Sequence, residues 1–249
     1  MLAIVSAMSE EIALVVESLS GLRTREFGHR QFHAGTLQGV EAVAVFSRMG
    51  KVAAAATVTQ LLAAFPVHAL VFSGVAGGVH HELSIGDVVV ATGLLQHDMD
   101  ASPIFPRYEV PLLGRSVFDT DPGITERLVR AAARFLADDL AAAVAPGELQ
   151  FFEITAPKVT RGVVASGDKF FARTDEVHEL RGRLPEVSCV EMEGAAVAQV
   201  CAEYSVPFGV VRTISDAADE NSQHDFPRFA RQIARHYSAG ILHHFVRAA

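Results

Sequence analysis

Short runs rich in Val, Ile and Ala alternate with longer stretches of helical periodicity along almost the whole chain. A strand crosses a core with a few apolar residues, whereas a helix needs ten or so to lay one face on it. Alternation of the two dictates a largely parallel or mixed sheet covered by helices, an α/β fold. With 249 residues, 50% of them hydrophobic, the chain is large enough to bury the core of one domain over residues 1–249.

The pattern opens with a strand over residues 2–6 and a helix over 9–19, which Ser9 can cap. Strands over 31–37 and 41–47 meet at the hairpin turn Gln38-Gly39, and an Ala-rich helix over 50–65 is closed by Pro66. A strand over 69–73 runs into Gly74-Val75-Ala76-Gly77-Gly78, where glycine permits close backbone approach, and another follows over 88–95. Residues 98–123 combine Pro103, Pro106, Pro111 and Pro122 with Phe105, Tyr108, Leu112 and Leu113. Such a stretch reads as an ordered loop whose apolar side chains need a neighbouring subunit or a ligand as cover. A helix over 123–144, strands over 159–166 and 187–190, a helix over 193–204, a strand over 207–214 and a helix over 226–246 complete the pattern. Residues 145–157 are apolar but irregular and receive no assignment.

Charge and motif spacing narrow the partners. Net charge is −8 and the Lys and Arg residues are scattered, so the footprint of a nucleic-acid or anionic-membrane binder is missing and a small-molecule ligand is expected. The apolar run from Met1 to Ala7 is too short for a membrane span or a signal peptide. Cys189 and Cys201 fit no zinc or redox motif, which points to a cytoplasmic protein with reduced thiols. His80-His81 and His97-Asp98-Met99-Asp100 lack the i, i+4 spacing of a helical zinc site, Gly50-Lys51 is not followed by Ser or Thr, and Gly74 to Gly78 does not spell a dinucleotide fingerprint. No metal or cofactor is expected.

Acidic side chains stand at the ends of apolar segments, where an open α/β sheet keeps its chemistry. Glu11 follows the first strand, Glu193 the strand ending near Val190, and Asp216 the strand ending near Ile214. Glu11 and Glu193 also suit the first turn of a helix through its macrodipole. Asp216 shares its strand with Arg212, so an Arg212–Asp216 ion pair is the structural alternative to a catalytic role.

The fragments Ala7-Met8-Ser9-Glu10-Glu11, Met49-Gly50-Lys51-Val52-Ala53-Ala54, Ala76-Gly77-Gly78, Gly86-Asp87-Val88-Val89-Val90, Ser166-Gly167-Asp168, Val190-Glu191-Met192-Glu193 and Arg212-Thr213-Ile214-Ser215-Asp216 occur in this order over nearly the whole chain. As a set they resemble the 5′-methylthioadenosine/S-adenosylhomocysteine nucleosidases. The resemblance implies a nucleoside phosphorylase-like fold, a single-domain three-layer α/β/α sandwich with a mixed central sheet. It also implies a homodimer and hydrolysis of an N-ribosyl bond to release adenine. Carried over by position, Asp216 resembles the general acid that protonates the purine at N7, Glu11 the base that activates water, and Glu193 the acceptor for ribose hydroxyls. An oxocarbenium-like transition state needs such a division, and Asp216 holds a proton only if desolvation outweighs Arg212. Phe170 resembles the ring stacked on adenine, Phe171 the residue whose backbone reads the base edge, and Met192 the floor under the ribose. Met8, Met49 and Phe226 match the ribose and 5′-substituent pocket, and Val75, Ala76, Gly77, Arg212 and Ser215 match further substrate-binding positions.

The chain departs from the family pattern at Val75, where a serine is usual, at Arg48, where a smaller residue is common, and over residues 145–158, which are longer than the usual connection. A nucleoside phosphorylase would share the fold and differ in its nucleophile, but Glu10 and Glu11 suit water better than phosphate. A nucleosidase for another adenine nucleoside, such as 6-amino-6-deoxyfutalosine, would also fit, whereas retention of all three carboxyls argues against a non-catalytic nucleoside-binding protein.

Overall fold

Strands buried on both faces need unbroken apolar runs, and the central strands here have them. Every residue of the strand Phe208–Asp216 is buried. The three-dimensional structure, a computed structural model, describes residues 1–220 and 222–247. Positions 221, 248 and 249 of the expected 1–249 domain lie outside the described residues.

In chain order the elements begin with β1 (Leu2–Ser6), α1 (Ser9–Glu17), β2 (Ser20–Phe27), β3 (Arg30–Leu37), β4 (Val40–Phe46), α2 (Lys51–Ala64) and β5 (Ala69–Gly78). Next come β6 (Val88–Gln96), β7 (Val117–Asp119), α3 (Pro122–Arg134), α4 (Leu140–Ala143), α5 (Pro146–Phe151) and β8 (Val159–Ser166). The chain continues with α6 (Thr174–Arg183), β9 (Val187–Glu191), α7 (Gly194–Glu203), β10 (Phe208–Asp216), α8 (Ser222–Phe229) and α9 (Arg235–Arg247). The π-helical segments Phe135–Asp139 and Ala230–Ala234 join α3 to α4 and α8 to α9.

The sheet is mixed. β1 pairs in parallel with β4 and β5, β5 with β10, and β8 with β6 and β9, while β3 is antiparallel to β2 and β4. Antiparallel pairing of β10 with β6 and of β5 with β9 closes β5, β10, β6, β8 and β9 into a ring. Helices α1, α3 and α9 bury their apolar faces on one side of the sheet, and α2 and α7 on the other. This is the three-layer α/β/α arrangement expected, with part of its sheet curled shut.

Local chemistry explains the turns. Gln38 and Gly39 both have positive φ, 47° and 90°, as a two-residue hairpin turn matched to strand twist requires. Met8, not Ser9, is the N-cap of α1; Ser9 is the first helical residue and donates to Glu10. The carboxylate of Glu11 takes over the capping by accepting from the amides of Ala7 and Met8, both at 2.9 Å. The expected loop over 98–123 carries the short strand β7, which pairs with β6 over Gly93–Leu95, and its last two residues begin α3.

Candidate active site

The strands deliver their carboxyl ends to one place. β9 meets β5 only at Gly77–Val190 and Gly78–Cys189, so the segments that follow β1, β8, β9 and β10 surround the glycine-rich end of β5. A cavity of about 470 Å³ opens there. Glu11, Glu193 and Asp216 all line it, as do Met8, Met49, Val75, Ala76, Gly77, Phe170, Phe171, Met192, Ser215 and Phe226. Arg212 is not among its lining residues. Lys169, Glu191 and Gln223, which sequence reasoning did not select, are.

Asp216 owes its aim to a bulge. Ile214 pairs with Ala76 and Asp216 with Gly77, so Ser215 is an extra residue that kinks β10 at its end. The Ser215 hydroxyl donates to Asp216 Oδ2 at 2.7 Å and the Ala218 amide to Oδ1 at 2.9 Å. Gly77 is required opposite: a Cβ there would lie 3.1 Å from Oδ1 and 2.9 Å from the Ala218 Cβ. Burial, aided by the negative charge of Asp219, pushes the Asp216 carboxyl above its ordinary range despite these hydrogen bonds.

Glu11 is fully enclosed. Besides its two bonds at the start of α1, it accepts from the Val75 amide at 3.1 Å. Burial raises its pKa, while these amides and the Arg212 charge oppose the rise. Glu193 accepts from the Gly50 amide at 2.7 Å, and Gly50 turns the chain into α2 at a φ of 95° that favours glycine. Burial first, and then the Glu191 charge, pushes Glu193 up to about 8.

Arg212 serves a different partner from the one its sequence position suggested. Only 1% exposed, it donates from Nη2 to Glu191 at 2.7 Å, and its guanidinium lies 4.0 Å from the Phe72 ring centroid. Glu191 also accepts from the Ser166 hydroxyl and from the amides of Glu193 and Gly194. The Arg212–Asp216 pair is thereby overturned, because the guanidinium is committed beneath the cavity floor. An arginine inside an apolar strand demands a buried anion, and Glu191, at the end of β9, supplies it. Arg48 donates to the His29 carbonyl at 2.9 Å and does not line the cavity. Among the described residues no three His, Cys, Asp or Glu side chains converge so as to hold a metal ion, and no helix is long and apolar enough to cross a membrane.

Three carboxyls with raised pKa give a stability signature. Although burial of His33, His97, His236 and His243 works the other way, at the three carboxyls the folded chain holds more protons than the unfolded chain between the ordinary carboxylate range and about 8, the value reached by Glu193. Their contribution is complete below the unfolded values and is lost as pH rises through that window. Denaturant unfolding of the wild type and Glu193→Gln at about pH 5 and about pH 8 isolates the share of one carboxyl: the variant should lose less stability, or gain more, as pH rises, and the same pH dependence in both would assign the proton elsewhere.

The phosphorylase superfamily model matches residues 1–247. The 5′-methylthioadenosine/S-adenosylhomocysteine nucleosidase of Bacillus subtilis is 34% identical over 241 residues, covering 97% of this chain and 96% of the relative. The nucleosidase of the same name from Neisseria meningitidis, solved with methylthio-immucillin-A, superposes with a TM-score of 0.87 at 31% identity, covering 100% of this chain and 99% of the other. A futalosine hydrolase mutant of Helicobacter pylori superposes with a TM-score of 0.85 at 31% identity, covering 100% and 99%. The chain belongs to the phosphorylase superfamily and, within it, to the family of 5′-methylthioadenosine/S-adenosylhomocysteine nucleosidases.

Proposed function

We propose that this protein hydrolyses the N-ribosyl bond of 5′-methylthioadenosine and S-adenosylhomocysteine, releasing adenine. The observation that carries the reading is the convergence of Asp216 and Glu11 in one cavity beside different residues of β5. Asp216 packs on Gly77 and Glu11 on Gly74. Three residues of strand span about 10 Å, room for a ribosyl unit between an acid and a carboxylate that activates water.

The division of labour follows from their surroundings. Asp216 holds a proton because burial dominates and Arg212 is engaged by Glu191; it protonates the purine at N7 as the bond breaks. Glu11, facing three amide donors, is the better anion and takes a proton from the attacking water. Glu193 binds the ribose hydroxyls, Met192 supports the sugar, Phe170 and Phe171 hold adenine, and Met8, Met49 and Phe226 surround the 5′-alkylthio group, which suits polarizable side chains. Arg212 acts by holding the floor through Glu191.

Val75 favours a second reading within the hydrolases. Its side chain offers the ribose no hydrogen bond, and a futalosine hydrolase is as similar in structure as the nucleosidases. Release of adenine from methylthioadenosine in phosphate-free buffer is expected, and release only with phosphate, with 5-methylthioribose 1-phosphate as the other product, would make the protein a phosphorylase instead. Comparison with 6-amino-6-deoxyfutalosine and S-adenosylhomocysteine ranks the 5′-groups. Methylthioadenosine cleavage serves methionine salvage.

We also propose a homodimer. Ile104 and Leu112 are 82% and 90% exposed, in the loop over 98–123 that needed cover. Val52, at the start of α2, is 81% exposed, and its neighbour Lys51 bonds Asp98 at the start of that loop at 2.5 Å. Two copies covering this patch would remove it from water. A cytoplasmic location accords with Cys189 and Cys201 both being free and buried.

A further inference from the structure

The irregular stretch over 145–157 is a braced arm. Its helix α5 presents Glu148 and Phe151 to Arg228 of α8. Arg228 donates from Nε to Glu148 Oε2 at 2.9 Å and from Nη2 to Oε1 at 3.0 Å, a two-point fork. The same guanidinium lies 3.4 Å from the Phe151 ring centroid. Phe152, buried beside it, meets Phe229 of α8 edge-on at 5.3 Å between centroids. At the far end of the arm Ile154 presses on Gly86, whose amide donates to the Ile214 carbonyl of β10 at 2.8 Å. The arm therefore runs from the strand that carries Asp216 to the helix that carries Gln223 and Phe226.

Among the described residues, helix α8 has few other anchors. Ser222 and Phe229 are its buried residues among those described, and Pro227 removes one amide from its ladder. Phe226 touches Phe170 edge-on at 5.6 Å between centroids, and Phe170 is itself exposed. Ser222 reaches back, hydrogen-bonding Asp216 and accepting from the Asp219 amide at 2.8 Å.

We propose that α5 is a strut for α8, and that Glu148 and Arg228 are positioning residues that set substrate affinity by keeping Gln223 and Phe226 against the cavity. Neither residue lines the cavity. A wall in place for only a fraction of the time lowers apparent affinity by that fraction, while the saturated enzyme still turns over. The activity readout rests on the nucleosidase reading; the strut itself does not.

The test compares wild type with E148Q, R228M, the double variant and R228K. It measures KM and kcat for 5′-methylthioadenosine, hydrogen exchange over residues 222–229, and Tm. Each single variant is expected to raise KM about fivefold with kcat within about twofold, and the double variant to go no further, as partners in one interaction do. R228K, with the charge but without the fork, should fall between. Exchange over 222–229 should quicken in E148Q and R228M. Wild-type exchange in both, or wild-type KM in an active enzyme, overturns the strut, and so does a loss of kcat that tracks Tm with KM unmoved. If the wild type releases no adenine, the nucleosidase reading fails and the exchange rates still decide the strut.

Discussion

Replacing Asp216 by Asn is expected to lower kcat by about a thousandfold, the scale of a lost general acid, with the fold retained. The substitution is nearly isosteric. Asn can still accept from the Ala218 amide at the position of Oδ1, and the Ser215 hydroxyl, now a donor at 2.7 Å, can turn to accept from the new amide. What the site loses is a carboxylic acid, the form that burial favours at Asp216. KM should change little, because the walls that bind the nucleoside are untouched. Adenine release by the purified variant, alongside its thermal melt, checks both halves. A folded variant that turns over at the wild-type rate would remove Asp216 from the mechanism.

The largest loss of stability is expected from Arg212→Met. Methionine fills much of the arginine stem but leaves the buried Glu191 carboxyl without its cation, a change that costs about 3–5 kcal/mol. For a chain of this size that lowers Tm by roughly 6–20 °C. Glu191 would keep its bonds from Gly194, Glu193 and Ser166, and those are what a compensating residue must also satisfy. Adding Glu191→Gln should recover part of the loss, since Gln keeps one acceptor oxygen and removes the stranded charge. Calorimetry on the single and double variants decides the matter: no destabilisation in Arg212→Met would mean that the pair contributes nothing net. Its role differs from that of Glu148–Arg228, where both partners are partly exposed and water screens the charges.

Much of this structure was legible because its signals are local. The strand Leu2–Ser6 has the bounds its apolar run predicts, and the Gln38-Gly39 hairpin follows from turn chemistry. β2 was not legible: Ser20–Phe27 is an edge strand of exposed and charged residues with a partner on one side, so burial writes no pattern into it. α6 was missed for a related reason, since Thr174–Arg183 buries only Val177 and Leu180. The expected helix over 226–246 begins earlier, at Ser222, because Pro227 marks a boundary from sequence but is accommodated inside α8. Ring closure by β5 and β10 and the choice of Glu191 by Arg212 join distant segments, and no local rule reports on them. The strand-end acids were found because topology gathers carboxyl ends, yet Glu191 was passed over beside Glu193 because its task is to hold another residue.

The ring has a consequence for the life of the chain during its synthesis. β5 takes β1 on one side and β10 on the other, so its second neighbour comes from near the end of the sequence. A chain still growing on the ribosome can assemble β1 to β5 with Glu11 already in place, but the strand that carries the acid and closes the ring emerges only after β6 to β9. Long loop closure makes that docking slow and late. Catalytic competence would arrive only once β10 has emerged and docked, and a nascent or truncated chain lacking β10 would expose the open edge of β5 as a template for aggregation.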